Sequence, residues 1–147
     1  MNNIKLGRSE LLKMYDKVGP FSEGLAWVYK DNKCFHVWPD GTPAYVQRYD
    51  DAGPFTCGLA WVIKGDKHFH IRPDGKPAYK KVYEDAGPFF EGLAWVREND
   101  KWFHIRADGK PAYAQRYDKV ESFEDGLATV SKSGKEFQIR PDGTKVD

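Results

Sequence analysis

One pattern of 34 residues runs through the chain four times without a gap. Segments 49–82 and 83–116 are identical at 23 of 34 positions. A fixed period of this length indicates a repeat architecture, in which each unit completes its core by packing on its neighbours. The period is marked by Trp27, Trp61 and Trp95, by Phe21, Phe55, Phe89 and Phe123, and by Gly24, Gly58, Gly92 and Gly126. We predict a single repeat domain over residues 1–147, with units near 15–48, 49–82, 83–116 and 117–147 and a separate segment at 1–14.

Each unit is predicted to be a three-stranded antiparallel meander rather than a pair of helices. Gly-Pro, a second glycine, Asp-Gly and a further proline interrupt the pattern and leave no room for a helix of useful length. The runs between them are rich in Trp, Val, Phe and Ile, which favour strands. Gly65-Asp66 tolerates positive φ between two apolar runs and predicts a hairpin. The second unit then has strands at Leu59–Lys64, Lys67–Arg72 and Pro77–Tyr83, and the chain is all-β.

The first strand of each unit is predicted to be central in its sheet. Leu59 and Trp61 share one face of this strand and Ala60 and Val62 the other, so both faces are apolar. We expect Trp61 to be buried between adjacent units, where truncation to alanine would cost about 3–5 kcal/mol.

The motif of the unit resembles a known family. It reads Gly-Pro-Phe-x-x-Gly-Leu-Ala-Trp-Val, then a polar turn, then Lys-x-Phe-His-Ile-x-x-Asp-Gly-Lys. This string is similar to the bacterial WG (KWG) repeat, and the resemblance extends from Tyr15 to Thr144. The chain is a Phe-His variant, because the Trp-Gly pair of the family is replaced by Cys34-Phe35, His68-Phe69, Trp102-Phe103 and Glu136-Phe137. The resemblance implies a β-rich repeat array from a bacterium and supplies no catalytic residue.

Two arrangements of the four units are compatible with the sequence. Ser9–Tyr15 is in phase with Pro43–Tyr49, so the N-terminal segment could add a strand to the last unit and close a propeller-like ring. In the other arrangement, Ser9–Met14 forms a short helix that caps an open, stacked array. We favour the open array, because the fourth unit departs from the pattern as terminal repeats do. Its replacements are Thr129 for Trp, Gln138 for His and Glu121-Ser122 for Gly-Pro.

Composition and charge narrow the classes of function. The 23 Lys and Arg residues nearly balance 22 Asp and Glu residues, so no basic excess favours nucleic acid as a partner. The first eight residues hold no apolar run, and no segment approaches the roughly 20 apolar residues of a membrane span. Cys34 and Cys57 occupy different phases of the repeat. We expect both to be free, reduced thiols in a cytoplasmic protein.

Three histidines recur at one position of the second strand and are the sharpest candidates for chemistry: His36, His70 and His104. In a closed ring they could converge on an axis and bind zinc, whereas in an open array they lie too far apart to share an ion. The simpler hypothesis is that each imidazole makes the same hydrogen bond within its own unit. On that hypothesis we expect His70→Gln to be mild, because Gln138 occupies this place in the fourth unit. We predict no cofactor.

Other catalytic signatures are weak. The aspartate of each Asp-Gly pair stands where turn chemistry already favours it. Cys34 and His36 share a strand face, but no other unit repeats the pair. The sequence contains no nucleophile elbow, phosphate-binding loop or His-Glu-x-x-His motif. We predict that the chain is not an enzyme.

Aromatic residues make up 15% of the chain, which suits a sugar- or peptide-binding face where the rings are exposed. We expect Trp and Phe to form the core and Tyr its border. The predicted function is a non-enzymatic scaffold that binds a protein or peptide. A carbohydrate-binding module and a His-based metal-binding module are the alternatives. The candidate residues of the binding surface are His70, Arg72, His104, Arg106, Tyr79 and Tyr113.

Overall fold

The computed structural model describes residues 4–146, in which one short helix precedes a succession of strands. The helix, α1, spans Arg8–Met14. The strands are β1 (Lys17–Val18), β2 (Ala26–Lys30), β3 (Lys33–Val37), β4 (Asp51–Ala52), β5 (Ala60–Lys64), β6 (Lys67–Ile71), β7 (Asp85–Ala86), β8 (Ala94–Glu98), β9 (Lys101–Ile105), β10 (Lys119–Val120), β11 (Ala128–Lys132) and β12 (Lys135–Ile139). Within this span, no helix has the length and apolar character needed to cross a membrane.

Residues 4–146 form four three-stranded antiparallel sheets, one for each unit. We number them sheets 1 to 4, with strand orders β1-β2-β3, β4-β5-β6, β7-β8-β9 and β10-β11-β12. The strand that follows the Gly-Leu motif is central in every sheet, as its two apolar faces predicted. The prediction of an all-β fold built from four tandem three-stranded units is confirmed.

The hairpins follow from the residues between the two long strands of each unit. Asn99 and Asp100 connect β8 to β9 with φ angles of 52° and 63°. This left-handed region is the one that a two-residue hairpin loop of type I′ requires at both positions. Along β8, Ala94 and Val96 are buried and Trp95 between them is half-buried. One face of the sheet is therefore fully covered and the other only in part.

The third strand predicted at Pro77–Tyr83 is wrong. Only the ends of this segment pair with β6, where its first residue bridges Ile71 and its last bridges His68. More residues lie between Pro77 and Tyr83 than between Ile71 and His68 on β6. The middle of the segment therefore cannot pair with β6. The third strand of a sheet is instead the short one before Gly-Pro. In sheet 3 this is Asp85–Ala86, which pairs with the hairpin that follows it.

The N-terminal segment caps the array and does not close it. The helix α1 packs beside β1 and buries Leu11. Just after the helix, the Tyr15 hydroxyl donates a hydrogen bond to the carbonyl of Gly41 at 2.6 Å. In the part of the chain that the structure describes, Arg8–Met14 makes no strand pairing with residues 138–144. The closing-strand alternative is therefore wrong, and the four sheets form an open array.

The tyrosines belong to the core, contrary to the expectation that they border it. Buried apolar residues form two clusters, one centred on sheets 1 and 2 and the other on sheets 3 and 4. The tryptophans of the central strands are only half-buried. Trp61 packs on Gly53 of its own unit, where an added β-carbon would lie 2.1 Å from the indole nitrogen, so it is not an inter-unit residue as predicted. The buried tyrosines are Tyr15, Tyr45, Tyr49, Tyr83, Tyr113 and Tyr117.

Candidate functional site

Each of the three recurring histidines is buried where one unit meets the next. His70 has no exposed surface. Its Nδ1 accepts a hydrogen bond from the Tyr79 hydroxyl of the same unit at 2.5 Å, and its Nε2 donates one to the Gly87 carbonyl of the next unit at 2.7 Å. The same bonds join His36 to Tyr45 (2.6 Å) and Gly53 (2.8 Å), and His104 to Tyr113 (2.5 Å) and Glu121 (2.7 Å).

These contacts set the tautomer and the charge of the imidazole rings. A carbonyl oxygen can only accept a hydrogen bond, so the ring proton is on Nε2, and Nδ1 accepts from the tyrosine. Burial disfavours the imidazolium form and lowers the pKa of His36, His70 and His104 from 6.5 to about 4. All three are therefore neutral at pH 7. The predicted local role is confirmed for one bond, whereas the other bond crosses to the next unit.

A phenylalanine and a glycine complete each junction. Phe89 packs edge-on against the His70 ring with their centroids 4.6 Å apart, and it is fully buried. Tyr79 lies against Gly109 of the next unit, where an added β-carbon would come within 2.5 Å of the tyrosine. One unit therefore supplies histidine and tyrosine to the junction, and the next supplies phenylalanine and the glycine backbone. We call this set the junction residues.

The three imidazoles lie in three different junctions, so they do not converge on one axis. Each ring has both nitrogens occupied by its own partners. Among residues 4–146, His, Cys, Asp and Glu form no group of three or more that could hold a metal ion.

Four of the six residues predicted for a binding surface are junction residues instead. His70, His104 and Tyr113 are buried, and Tyr79 is half-buried with its hydroxyl bound to His70. Arg72 and Arg106 are exposed, as a binding surface requires. The sequence suggested an exposed surface because the strand face that carries the histidines is not covered by residues of its own unit. The next unit covers this face instead.

The exposed Arg106 borders a groove between units 3 and 4. The groove has a volume of about 490 Å³. Its walls include Leu93 and Ala112 from one unit and Pro141 from the next. Within the described residues, the Arg106 guanidinium makes no hydrogen bond or ion pair. At the same repeat position, Arg140 is bound to the Thr144 hydroxyl at 3.3 Å.

The acidic groups near the groove are already engaged. Glu91 accepts hydrogen bonds from the backbone N–H groups of Asp125 (2.6 Å) and Gly126 (2.8 Å) in the next unit. Asp142 accepts hydrogen bonds from the hydroxyl (2.7 Å) and the backbone N–H (2.9 Å) of Thr144, and these two bonds lower its pKa. The aspartates of the Asp-Gly pairs are therefore turn residues, as their position indicated.

The two cysteines are free thiols. Cys34 is buried, and burial raises its pKa to about 12, so it is a poor nucleophile. Its neighbour His36 has both ring nitrogens occupied and cannot activate it. Cys57 is exposed and stands where two other units have a glutamate.

Sequence reasoning missed the acidic residue that follows the first tyrosine of each unit, which is Tyr15, Tyr49, Tyr83 or Tyr117. Glu84 accepts hydrogen bonds from the backbone N–H groups of Asn99 (2.8 Å) and Asp100 (3.2 Å), so it holds the hairpin turn of its sheet. The signal was available in the strict recurrence of a carboxylate at this position. The equivalent residues are Asp16, Asp50 and Asp118.

A family comparison agrees with the repeat geometry. The family model described as WG containing repeat matches residues 11–34, 47–67, 71–102 and 105–135. The chain belongs to the WG-containing repeat family. Its units are WG repeats in which the Trp-Gly pair is replaced, and the histidine that follows the replaced pair is a junction residue. No curated protein matches the chain.

Solved structures place the WG repeats of this chain near a propeller fold. The structure of KlHsv2 with loop 6CD replaced by a Gly-Ser linker matches with a TM-score of 0.60 and 10% identity, over 88% of this chain and 51% of the other. A structure of Kluyveromyces lactis Hsv2p matches with a TM-score of 0.49 and 13% identity, over 88% and 49%. The chain therefore spans about half the length of these structures. At this identity the likeness concerns the fold alone.

Proposed function

We propose that this WG-repeat array is a non-enzymatic scaffold that binds an extended protein segment in the groove between units 3 and 4. The observation that carries the proposal is the exposed Arg106 guanidinium, which has no partner within residues 4–146. Arginine binds carboxylates through paired, charge-assisted hydrogen bonds. Because the nearby carboxylates of Glu91 and Asp142 are engaged with backbone amides, this cation is left for a ligand.

The walls of the groove define the class of ligand further. Leu93, Ala112 and Pro141 provide apolar contacts beside the arginine. A peptide with a carboxylate next to an apolar side chain would satisfy both features. Repeat arrays commonly bind partners across several units, since their surfaces are extended. We extend the proposal to a cytoplasmic bacterial protein without cofactor, nucleic-acid partner or membrane partner.

A displayed peptide library tests the proposal directly. The immobilised chain should enrich peptides that contain Asp or Glu beside an apolar residue, and their affinities can then be measured by fluorescence anisotropy. Arg106→Ala should weaken binding by about ten-fold, which corresponds to about 1.4 kcal/mol. Arg140→Ala is the matched control and should leave affinity unchanged, because its guanidinium is bound within the chain. No enrichment, or equal loss in both variants, would contradict the proposal.

A carbohydrate is the second candidate, and Trp38 favours it. This indole is 42% exposed and occupies the repeat position of Arg106 in the first unit. Exposed indoles stack on the apolar faces of sugar rings as they do on other flat partners. A glycan array decides between the candidates: binding that is lost in Trp38→Ala and retained in Arg106→Ala would favour the sugar.

A further inference from the structure

The N-terminal end of the array exposes half of a junction. In the three inner junctions the phenylalanine of one unit is buried against the histidine of the unit before it. Phe55, Phe89 and Phe123 are at most 2% exposed. Phe21 holds the same position in the first unit and is 42% exposed. The repeat position that would carry its histidine is Asn2, which lies outside the described residues.

The opposite end of the array exposes the other half. In sheet 3, Trp102 on the outer edge of β9 exchanges two backbone hydrogen bonds of 2.9 Å with Tyr117, the tyrosine that begins the next unit. Glu136 stands at this place on β12, and the described residues offer its outward backbone groups no such tyrosine. An unpaired strand edge of this kind is a template for another chain. Tyr15 is the residue of the first unit that corresponds to Tyr117.

Charges at the two ends are also complementary. Two of the three inner junctions are bridged by a lysine of one hairpin and the acidic residue after the next tyrosine, in the pairs Lys33–Asp50 at 2.7 Å and Lys101–Asp118 at 2.5 Å. Lys135 holds the lysine position in sheet 4 and has no ion pair among residues 4–146. Asp16 holds the acidic position in the first unit and is exposed. The two residues are therefore separated members of one repeated ion pair.

Sheet 4 also has room for a phenylalanine. A cavity of about 300 Å³ lies on its outer face and is lined by Leu127, Thr129 and Gln138 among others. Thr129 and Gln138 stand at the tryptophan and histidine positions, so this face corresponds to the one that Phe123 covers on sheet 3. The Gln138 amide can donate to a carbonyl, as the His104 Nε2 does to Glu121.

We propose that two copies of this chain associate head to tail, with β12 of each copy docked against the Phe21 end of the other. In each docked end, Phe21 lies on Gln138, Glu136 donates its backbone N–H to the Tyr15 carbonyl, and Lys135 pairs with Asp16. Two such junctions close a ring of two chains. The likeness to KlHsv2 supports closure, because 88% of this chain matches 51% of that propeller-like chain, so two copies supply about one complete fold.

Light scattering coupled to size exclusion, on untagged protein of residues 1–147 over a range of concentrations, tests the association. The wild type should be a dimer. Phe21→Glu should be a monomer with an unchanged circular dichroism spectrum, because Phe21 is exposed within the chain. Phe90→Glu is the matched control: Phe90 is 45% exposed but lies midway along the array, so this variant should remain a dimer. A monomeric wild type, or a dimer that survives Phe21→Glu, would overturn the proposal.

A mixing experiment tests the head-to-tail geometry. Lys135→Glu blocks the C-terminal half of the junction and Phe21→Glu blocks the N-terminal half. Each variant alone should be monomeric, because every junction it can form contains one blocked half. An equimolar mixture should form heterodimers, since one junction is then intact. A mixture that stays monomeric contradicts the head-to-tail geometry, and species larger than a dimer in the wild type contradict the closed ring.

Discussion

Sheets 3 and 4 share one backbone plan and differ in the side chains that face the next sheet. Both sheets keep the residues that pack inside a unit or against the unit before it, namely Phe89 and Phe123, Ala94 and Ala128, Val96 and Val130, and Ile105 and Ile139. Where sheet 3 touches the following unit, it carries His104, buried between Tyr113 and Glu121. Sheet 4 carries Gln138 at this place, and Gln138 is exposed.

Sheets 3 and 4 together distinguish two groups of repeated residues, which the sequence pattern alone does not tell apart. Apolar residues of the strands and the phenylalanine are needed in every unit, because they complete a sheet. Histidine is needed only where another unit follows, because its Nε2 has a carbonyl to bind there. The expectation that His70→Gln is mild rested on Gln138, and the structure removes that basis, since Gln138 has neither of the partners of His70 within residues 4–146.

Acidification should weaken the inner junctions and not the face of sheet 4, which carries no such histidine. The three junction histidines have a pKa of about 4 when folded against 6.5 when unfolded. A depressed folded pKa gives stability that is present above pH 6.5 and is lost as pH falls toward 4. Between pH 7 and pH 5 the free energy of unfolding should fall by about 1.8 kcal/mol for each histidine, or by roughly 5.5 kcal/mol for the three together. Urea denaturation at both pH values measures the loss, and an unchanged midpoint contradicts it.

Phe89→Ala should be far more damaging than Phe21→Ala. Phe89 is fully buried on the His70 ring, and truncating a buried phenylalanine costs about 3–5 kcal/mol. Phe21 holds the same repeat position at the exposed end, so its truncation should cost less than about 1 kcal/mol. Both are measured by urea denaturation at protein concentrations where the chain is monomeric. Equal losses would show that the junction does not bury this ring.

His70→Ala should destabilise the chain by about 3 kcal/mol, because the Tyr79 hydroxyl and the Gly87 carbonyl both lose their buried partner. Gln138→Ala, at the same position in sheet 4, should stay within about 0.5 kcal/mol of the wild type. His70→Gln should lie between them, since one amide can serve only one of the two partners in this geometry. The same denaturation series checks all three, and a neutral His70→Ala would count against the junction role.

The smallest expected effect concerns the glycine beneath each tryptophan. An added β-carbon at Gly87 would lie 2.1 Å from the Trp95 ring, so Gly87→Ala should cost about 1–3 kcal/mol. Sheet 4 has Glu121 and Thr129 at these two positions. Gly87→Ala should therefore cost less when it is made in a Trp95→Thr background. A double-mutant cycle measures this coupling, and additive losses would show that the two positions are independent.

The fold was predictable from the sequence where its determinants are local. Turn pairs such as Asn99-Asp100 and the period-two strands are read within a few residues, so the hairpins and the central strand were predicted correctly. The segment Pro77–Tyr83 was misassigned because its pairing depends on how many residues β6 offers opposite it. The apolar and turn residues of the segment do not indicate how many residues of β6 lie opposite it.

The candidate site was less predictable, because its contacts cross from one unit to the next. The carbonyl that binds His70 belongs to Gly87, 17 residues away, and a glycine carbonyl leaves no chemical signature in a sequence. Arg106 was identified as an exposed candidate, but the groove beside it also needs Pro141 of the following unit. Only the stacking of two sheets brings such residues together.

The central claim is that three neutral histidines in one tautomer join consecutive units. Long-range proton–nitrogen NMR of the imidazole rings, followed from pH 7 to pH 4 and assigned with single His→Gln variants, tests it most directly. His36, His70 and His104 should all carry their proton on Nε2 and remain neutral at pH 5, with protonation midpoints near 4. A ring with its proton on Nδ1, or one that becomes protonated near its ordinary pKa of 6.5, would contradict the account.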